Sequence, residues 1–288
     1  MSAQPPRVSV VMVHHGELEI SLRALDALAW SRDVDLSIVL VLTDRTDVPD
    51  AFSVLGGDFD FSGPFHVYAQ GPLGYAAALN FGVRMADASA EYLFFMNHDV
   101  LVDAQSISKL VAELSQRSEA AAVGPVLLFP DDSEVVWNAG SVIHWPSSRP
   151  GSLHYLGKIA DVPAEPYAVD YLCGAAVLMR QQDFDEVGPW PEDYFLYFED
   201  ADLGERIRRA GKESVVVPAA RAVHHFGSAT GAQPRQTEYY RVRNRLLFSK
   251  RWAPPGLGPR LRRAHFALKK LLKIGPAARG ALNGWLGR

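Results

Sequence analysis

The sequence predicts an α/β protein built on a doubly wound sheet with helices on both faces. Apolar, valine-rich runs at residues 7–13 and 36–42 are typical of strands that are buried on both faces of a parallel sheet. Segments with helical spacing alternate with the apolar runs up to about residue 130, which is the pattern of strand–helix–strand units. A chain of 288 residues is long enough to bury a substantial core around such a sheet.

The first half of the chain supplies the regular part of this fold. A helix follows the first strand, because four leucines recur there at helical spacing: Leu18, Leu22, Leu25 and Leu28. After the second strand we expect a weak strand, a helix, a strand, a further helix and a last strand. These lie at residues 66–68, 75–86, 91–96, 107–114 and 121–129.

The second half breaks the alternation. Strands are predicted at residues 135–145 and 167–180, joined by a connection rich in Pro, Gly and Ser. A helix then covers about residues 199–210 and stops at Gly211, because glycine readily adopts the left-handed conformation that ends helices. A strand at residues 214–217 ends near Pro218, and the tail from residue 237 is helical in composition, interrupted at Pro254 and Pro255.

The net charge of −4 conceals a strong asymmetry. No acidic residue follows Glu238, and thirteen of the 29 Lys and Arg residues lie beyond it. Apolar residues alternate with these cations between residues 261 and 274, a mixture that suits a helix lying on an anionic membrane surface. Nucleic acid is the other polyanion that such a tail could bind, but no DNA- or RNA-binding motif accompanies it and the acidic body would repel it.

The cysteine content and the absence of long apolar runs in the sequence indicate the cellular compartment. The single cysteine, Cys173, cannot form an internal disulfide, which fits a reducing compartment. The first residues show no signal-peptide pattern, and no apolar run approaches the roughly 20 residues that a spanning helix needs. We therefore expect a cytoplasmic protein, peripheral at the inner face of the cell membrane.

Polar residues follow several of the predicted strands. His14, Asp44 and the triplet Asn97-His98-Asp99 all come at strand ends, where open α/β sheets bind their ligands. A carboxylate in this place either caps a turn or helps to bind Mg²⁺ or Mn²⁺ together with a diphosphate. His224, after the last predicted strand, is either a structural histidine or a metal ligand.

A second acidic group opens the helix at residue 199. Glu199, Asp200 and Asp202 suit the positive end of a helix dipole, which is a structural explanation for three acids in one turn. The aromatic run at residues 194–198 would partly shield these carboxylates from water. A shielded carboxylate at the mouth of a cleft is also able to take a proton from an incoming hydroxyl group, as a general base does.

Taken in order, these segments resemble the family 2 glycosyltransferases with the GT-A fold, and within them the bacterial rhamnosyltransferase-like branch. The resemblance covers roughly residues 7–251. It is carried by the first strand and by the segments GYAAALNFGVRMA, EYLFFMNHDV, GAAVLMRQQDFDEVG and YFLYFEDADLGERIRRAG, followed by VVVPAARAVHH. It implies a mixed sheet of the GT-A type with the basic helical tail appended.

The resemblance also implies roles for individual residues. Asp99 and His224 would bind the divalent metal, and Asp200 would be the catalytic base of an inverting transfer. Val13, His14, Asp44, Gly74, Asn97 and His98 would contact the nucleotide-sugar. The acceptor side would be formed by Tyr171, Trp190, Asp193 and Glu199, and Arg243 would reach a phosphate of the donor or a lipid.

The domain organisation and the substrates are implied in the same way. A GT-A domain would span residues 1–236, with a nucleotide-binding half at about 7–130 and an acceptor half at about 131–236, followed by a basic tail at 237–288. The branch implies dTDP-rhamnose as donor and a polysaccharide or polyprenyl-linked acceptor, with Mg²⁺ or Mn²⁺ as cofactor. The elements that line the base pocket in the family depart from its pattern at residues 13–15 and 43–46. UDP-linked hexoses and UDP-galactofuranose therefore remain open.

Two other functions are compatible with a sheet of this type. A nucleotidyltransferase needs a basic, glycine-rich loop after its first strand, and here no Lys or Arg occurs between Val13 and Arg23. A glycan- or lipid-binding protein on an inactive transferase scaffold would not need Asp99, Asp200 and His224 together. We therefore predict a metal-dependent, inverting glycosyltransferase.

Overall fold

The computed structural model describes residues 4–48, 61–225, 234–271 and 275–287. Within these residues one sheet contains ten strands, and two further strands pair as a separate hairpin. The strands are β1 Arg7–His14, β2 Asp35–Leu42, β3 Phe65–Ala69, β4 Tyr92–Asn97, β5 Val100–Val102, β6 Ala120–Leu128, β7 Val136–Asn138, β8 Ser141–His144, β9 Arg149–Ser152, β10 Tyr167–Val169, β11 Ala176–Arg180 and β12 Glu213–His224.

Helices connect many of the strands and make up most of the described C-terminal tail. They are α1 Leu18–Ala29, α2 Tyr75–Met85, α3 Ser106–Gln116, α4 Gln181–Val187, α5 Glu199–Arg209, α6 Pro234–Trp252, α7 Leu257–Leu271 and α8 Pro276–Leu286, with a 3₁₀ turn at Ile159–Asp161. None of the helices in the described ranges combines the length and the apolar character that crossing a membrane requires.

The sheet is mixed, as predicted. Its main path runs in the order β10-β12-β6-β11-β4-β1-β2-β3, with β5 pairing with β12 and β7 with β6. The strands β4, β1, β2 and β3 are mutually parallel, so their carboxyl ends meet at one edge of the sheet. The strand β11 runs antiparallel between β4 and β6, and this brings the second half of the chain into the middle of the sheet.

Helices cover both faces of the sheet, which confirms the predicted fold class. One buried cluster joins the sheet to α1 and α3, and it contains the predicted apolar stripes of both helices. A second cluster on the opposite face contains buried residues of α2, α4 and α5. Burial of these two apolar layers is the main stabilising term of the fold.

Three predicted elements are corrected by the structure. The strand predicted at 135–145 is divided at Gly140, whose φ of 91° is left-handed, and the one predicted at 167–180 is divided into β10 and β11. The strand predicted to end near Pro218 continues as β12 to His224. Proline is tolerated there because the pairing of β12 with β6 is irregular between Val217 and Arg221.

The tail is connected to the body through α6. Phe248 is fully buried against Tyr171, Tyr194 and Phe198 of the body. On its other side α6 packs through Val242 and Leu246 against α7 and α8. Of the apolar tail residues predicted to meet a membrane, Leu272 and Ile274 lie outside the described residues.

Candidate active site

The parallel strands bring the predicted donor-side residues to one edge of the sheet. Val13 of β1 lies directly opposite Asn97 of β4, and His14 lies opposite Leu42 at the end of β2. Asp44 follows β2 by two residues. The main-chain N–H of His98 donates a hydrogen bond to the Val13 carbonyl (3.1 Å), which fixes the triplet next to the end of β1.

Asp99 and His224, the two predicted metal ligands, are in contact. The strand β12 runs antiparallel to β5 with His224 opposite Val100, the residue that follows Asp99. The His224 Nε2 atom lies 3.2 Å from Asp99 Oδ1, and both side chains are buried. The main-chain N–H of His225 also donates a hydrogen bond to the Asp99 carbonyl (2.8 Å), so two elements distant in sequence are fixed at one point.

A pair of histidines packs beneath this point. His14 and His98 are buried, with ring centroids 4.9 Å apart in an edge-on arrangement, and His14 Nδ1 lies 2.6 Å from the Ser21 hydroxyl. Burial lowers the pKa of His14 to about 3, and the neighbouring His98 adds to this shift. Burial lowers the pKa of His98 as well. Both rings are therefore neutral near pH 7, and they support the site from below its surface.

Asp44 and Gly74 make contacts within the protein. The Asp44 carboxylate accepts hydrogen bonds from Arg45 and from the Gly16 N–H. Partial burial acts to raise the pKa of Asp44, but these hydrogen bonds outweigh it and hold that pKa below its ordinary value. A Cβ atom on Gly74 would lie 2.9 Å from the Phe195 carbonyl oxygen, so the missing side chain of Gly74 allows this segment to pass close by.

Asp200, the predicted base, is attached to the same edge of the sheet. It lies in the first turn of α5, and its Oδ2 accepts a hydrogen bond from the Gly174 N–H (3.3 Å). The next residue, Ala175, is bound to β4, since the Asn97 N–H donates a hydrogen bond to the Ala175 carbonyl (3.0 Å). Burial raises the pKa of the Asp200 carboxyl, although main-chain N–H groups partly offset this effect. A carboxylate with a raised pKa is a stronger base.

Carboxylates from the first and second halves of the chain affect the pKa of the same two side chains, Cys173 and Tyr75. Burial raises the pKa of the Cys173 thiol, and Asp200, Glu199 and Asp99 raise it further. The same three carboxyl groups and burial raise the pKa of the Tyr75 hydroxyl, which donates a hydrogen bond to the Gly174 carbonyl (2.8 Å). Asp99, a metal-ligand candidate, and Asp200, the base candidate, therefore lie near the same two side chains.

Glu199 is the least favourably placed of these acids. Its side chain is buried, and its Oε2 has no hydrogen-bond partner among the residues that the structure describes. Burial raises the pKa of Glu199 well above its ordinary value, and the adjacent Asp200 adds to the shift. A carboxyl group whose pKa is raised by folding destabilises the folded state when it ionises.

We expect Glu199→Gln to raise the melting temperature of the protein, and to raise it more at pH 8 than at pH 5. The ionisation cost of Glu199 is absent below the ordinary glutamate pKa and grows as the pH rises through the raised value, whereas glutamine carries no such cost. Thermal unfolding of both proteins across this pH range measures the effect. Glu186→Gln, an exposed site on α4, is the control and should show no pH-dependent gain. An equal gain at both pH values would contradict the assignment.

The predicted acceptor-side residues divide into two groups. Tyr171, Trp190 and Glu199 are all less than a tenth exposed, as are Asp99 and His224. Trp190 packs edge-on against Phe95. Asp193 is exposed, and its carboxylate pairs with Arg251. Arg243 Nη1 donates to the Asp193 carbonyl (3.0 Å), which places this arginine beside the same loop.

The loop before α5 is held in an unusual conformation by the tail. Tyr197 and Phe198 have φ values of 68° and 74°, a left-handed backbone that non-glycine residues adopt only when their surroundings enforce it. The Asn244 side chain of α6, itself fully buried, donates hydrogen bonds to the carbonyls of Leu196 (2.8 Å) and Tyr197 (2.9 Å). The tail helix therefore fixes the segment that leads into Asp200.

Asp202 connects the same two helices. This fully buried carboxylate accepts hydrogen bonds from the Tyr194 hydroxyl (2.9 Å), Arg251 (3.0 Å) and the Trp252 indole N–H (2.6 Å) on one oxygen. Its other oxygen accepts a hydrogen bond from Arg206 (2.9 Å). Of the three acids at the start of α5, Asp202 therefore has a structural role that ties the end of α6 to the site.

The residues present fit a divalent ion that is shared with a substrate. Among the described residues, no group of three or more His, Cys, Asp and Glu side chains is arranged to hold a metal on its own. Asp99 and His224 supply one oxygen and one nitrogen from atoms 3.2 Å apart. Mg²⁺ and similar ions are often held by one or two protein carboxylates together with substrate phosphates, so a two-residue site suits a diphosphate substrate.

Several residues of the site were not found from the sequence. Tyr75 donates a hydrogen bond to the Gly174 carbonyl, and the Gly174 N–H donates one to Asp200. From the tail, Asn244 donates a hydrogen bond to the loop before α5, and Arg251 donates one to Asp202. Asn244 lies in a basic helical segment with no distinguishing pattern, so only the folded contacts reveal it. The pairing of Tyr75 with Gly174 spans 99 residues and has no local signal.

Comparison with known proteins shows which protein family the sequence matches. The model of "Glycosyl transferase family 2" matches residues 9–188. The N-acetylglucosaminyl-diphospho-decaprenol L-rhamnosyltransferase of Mycobacterium tuberculosis is 33% identical over 186 residues, which is 56% of this chain and 59% of that protein. The rhamnosyltransferase WbbL of Escherichia coli K12 is 26% identical over 177 residues, 57% of this chain and 66% of its own length. The chain thus spans about six-tenths of these curated relatives.

A solved structure extends the similarity to nearly the whole chain. GalNAc-T7, determined with UDP, GalNAc and Mn²⁺, aligns with a TM-score of 0.64 at 16% identity and covers 93% of this chain and 55% of that one. At this level of identity the match concerns the fold. It confirms the GT-A fold that the sequence predicts.

Proposed function

Because the chain belongs to glycosyl transferase family 2, we propose that it transfers a sugar from a nucleotide-sugar donor to an acceptor hydroxyl with inversion at the sugar carbon. One observation carries this proposal. Asp99 and His224, which are in contact, share an edge of the sheet with Asp200, which is attached to that edge through residues 174–175. A site for a metal-bound diphosphate and a base for an incoming hydroxyl thus lie together.

Asp99 and His224 would hold the divalent ion. A bound Mg²⁺ or Mn²⁺ supplies Lewis-acid stabilisation to a leaving diphosphate and orients it. Asn97 ends the strand before this pair and lies opposite Val13 of β1. The neutral His14 and His98 rings beneath add no positive charge of their own to the site.

Asp200 would act on the acceptor. Its carboxylate takes the proton from the acceptor hydroxyl as the oxygen attacks the sugar carbon from the face opposite the leaving diphosphate, which gives inversion in one displacement. The hydrogen bonds from the Gly174 and Ala201 N–H groups orient the carboxylate for this task. The exposed Asp193 and the nearby Arg243 would meet the acceptor or its phosphate, which is supported by their shared position at the loop before α5.

The relatives suggest the substrates. Two of them are rhamnosyltransferases by name, which favours dTDP-rhamnose as the donor over UDP-linked hexoses or UDP-galactofuranose. The name of the mycobacterial relative includes a diphospho-decaprenol, which supports a polyprenyl-linked or polysaccharide acceptor here. We propose that the basic tail at residues 237–288 places the enzyme on the anionic inner face of the membrane, next to a donor half at 7–130 and an acceptor half at 131–236.

Metal-dependent donor binding tests the site. We expect the matching nucleotide-sugar to raise the melting temperature by about 5 °C in the presence of Mn²⁺, on the order of 2–3 kcal/mol at a hundred times the Kd. EDTA should abolish most of this shift. Asp99→Ala and His224→Ala should also lose it, each measured against its own ligand-free melting temperature.

Asp103→Ala is the matched control, because Asp103 is an exposed aspartate near the site that makes no predicted metal contact. It should keep the full shift. A shift that is equal with Mn²⁺ and with EDTA, or one that survives in both Asp99→Ala and His224→Ala, would contradict the metal assignment. Donor binding without any transfer to acceptors would favour a non-catalytic glycan- or lipid-binding protein.

A further inference from the structure

The tail helix α6 borders an open groove at its first turns. The groove has a volume of about 980 Å³ and lies between the first turns of α6 and α8. Its polar and aromatic lining comes from both helices, namely Arg235, Gln236, Tyr239, Tyr240, Arg279 and Asn283. No carboxylate lines it within the parts of the chain that the structure describes.

Close packing fixes the two walls of the groove relative to each other. A Cβ atom on Gly280 would lie 2.5 Å from the Tyr239 carbonyl oxygen, and one on Gly284 would lie 2.5 Å from the Arg243 carbonyl oxygen. The backbones of α8 and α6 therefore approach to a distance that only glycine permits. The Asn283 side chain also donates a hydrogen bond to the Tyr239 hydroxyl (2.7 Å). Arg279 is thereby held opposite the first turn of α6.

The chemistry of the lining favours a phosphate-bearing ligand. Arg235 and Arg279 are both exposed, and the planar guanidinium group matches phosphate oxygens in a two-pronged arrangement. The nearest acid in sequence, Glu238, lies 3.9 Å from Lys270. The first turn of α8 adds the positive end of a helix dipole on the same side, since Pro276 also lines the groove.

The groove is connected to the catalytic edge by direct contacts. Tyr240 stacks on Phe195, with ring centroids 5.0 Å apart and planes inclined by 17°. The Phe195 carbonyl accepts a hydrogen bond from the Tyr75 N–H (2.9 Å), and the Tyr75 hydroxyl donates to the Gly174 carbonyl, next to the N–H that binds Asp200. A ligand in the groove is thus separated from the predicted base by one aromatic pair and one hydrogen-bonded segment.

Exposed apolar side chains occur on the two last helices of the tail. Large hydrophobic residues of α7 and α8 are about half exposed or more, namely Leu261, Leu268, Leu282, Trp285 and Leu286. Exposed apolar residues interspersed with arginine and lysine are typical of surfaces that contact lipid. The tail therefore carries both the phosphate-binding chemistry of the groove and exposed apolar side chains.

We propose that the groove between α6 and α8 binds the diphosphate of a lipid-linked acceptor, with the lipid chain leaving along the apolar side of the tail. This inference rests on the proposed transferase function and assigns the acceptor site within it. Arg235 and Arg279 bind the diphosphate, and Tyr239 and Tyr240 bound it on the side of Phe195. The stacked pair of Tyr240 and Phe195 links the bound diphosphate to the segment that holds Asp200.

Binding of farnesyl diphosphate to the full chain tests this site. The titration is done in EDTA, with no nucleotide present, so that the metal-dependent donor site is not engaged. We expect Arg235→Ala and Arg279→Ala each to weaken binding about tenfold, as the loss of a hydrogen bond to a charged group does. Arg262→Ala removes an equally exposed cation of the same tail outside the groove, and it should leave the Kd within about twofold.

Further arms of the experiment distinguish the sources of binding. Farnesol should not bind, and inorganic pyrophosphate should compete with farnesyl diphosphate. Sedimentation with phosphatidylglycerol vesicles should weaken by a similar factor in all three arginine variants, because it reports the charge of the whole tail. Equal loss of farnesyl diphosphate binding in Arg262→Ala, binding of farnesol with the same Kd, or an unchanged Kd in the Arg235→Ala, Arg279→Ala double variant would overturn the proposal.

The transferase function and the acceptor site are tested independently of each other. If the wild-type chain transfers no sugar from any donor but the groove variants still lose farnesyl diphosphate, the binding site stands and the transferase function does not. If transfer occurs and the double variant keeps the same KM for a lipid diphosphate acceptor, the acceptor site is wrong and the function stands.

Discussion

Asp200→Asn is expected to lower the rate of sugar transfer by about 10²–10⁴-fold, the range typical of a lost general base. The substitution keeps the size of the side chain and an oxygen that is able to accept the Gly174 N–H, but it removes the group that takes the proton. Donor binding should be unchanged, because Asp99 and His224 are not altered. Single-turnover transfer and the donor-induced thermal shift measure the two effects on the same samples.

The pH dependence gives an independent test of the same residue. Because burial raises the pKa of Asp200, the acid side of the profile of kcat/KM should fall at a pH above the ordinary aspartate range. Activity is lost as the pH falls through this value, since the protonated acid cannot act as a base. Asp185→Asn, an exposed aspartate on α4, is the control and should retain wild-type rates and profile. Transfer by Asp200→Asn at more than a tenth of the wild-type rate would contradict the assignment.

Asp202→Ala is expected to destabilise the protein by about 3 kcal/mol. Loss of one partner of a buried ion pair typically costs about 3–5 kcal/mol, and the lower figure applies because Arg206 and Arg251 are partly exposed to solvent. The Tyr194 hydroxyl and the Trp252 indole N–H lose their acceptor as well. Chemical denaturation at equilibrium gives the free energy of unfolding directly.

Asp193→Ala is the matched control for this prediction, because its carboxylate pairs with the same Arg251 but is exposed. Surface ion pairs contribute about 0–1 kcal/mol, so this variant should lose less than 1 kcal/mol. Asp202→Asn should lie between the two, since the amide keeps an acceptor but carries no charge. A loss below 1 kcal/mol in Asp202→Ala would show that Asp202 does not hold α6 to the site.

The sequence predicted the sheet well because its signals are local. Each parallel strand is a continuous apolar run, and its helical neighbours carry stripes at the helical period, so β1, β2 and α1 were located to within a residue or two. The contact of Asp99 with His224 was proposed only because a family resemblance linked two residues that are far apart in the chain. No periodicity in the sequence connects the end of β4 to the end of β12.

Long-range contacts account for what the sequence did not show. Proline was expected to end the strand near Pro218, but an irregularity in the pairing with β6 lets β12 continue and carry His224 to Asp99. The burial of Trp190 depends on packing against Phe95 of β4, which is far away in the sequence. The hydrogen bonds from Asn244 to the carbonyls of Leu196 and Tyr197 span 48 and 47 residues of sequence, and they depend on how α6 packs against the body. Such contacts are properties of the assembled fold.

The measurement that tests the central claim most directly is transfer of labelled sugar from a panel of nucleotide-sugars to a lipid-linked N-acetylglucosaminyl diphosphate, with and without EDTA. The account predicts that dTDP-rhamnose is the preferred donor. The transfer should require Mg²⁺ or Mn²⁺, and the product should have the inverted anomeric configuration. Asp200→Asn should lower the rate of this transfer by the same factor of about 10²–10⁴. Product with retained configuration, or transfer at the full rate in EDTA, would contradict the account.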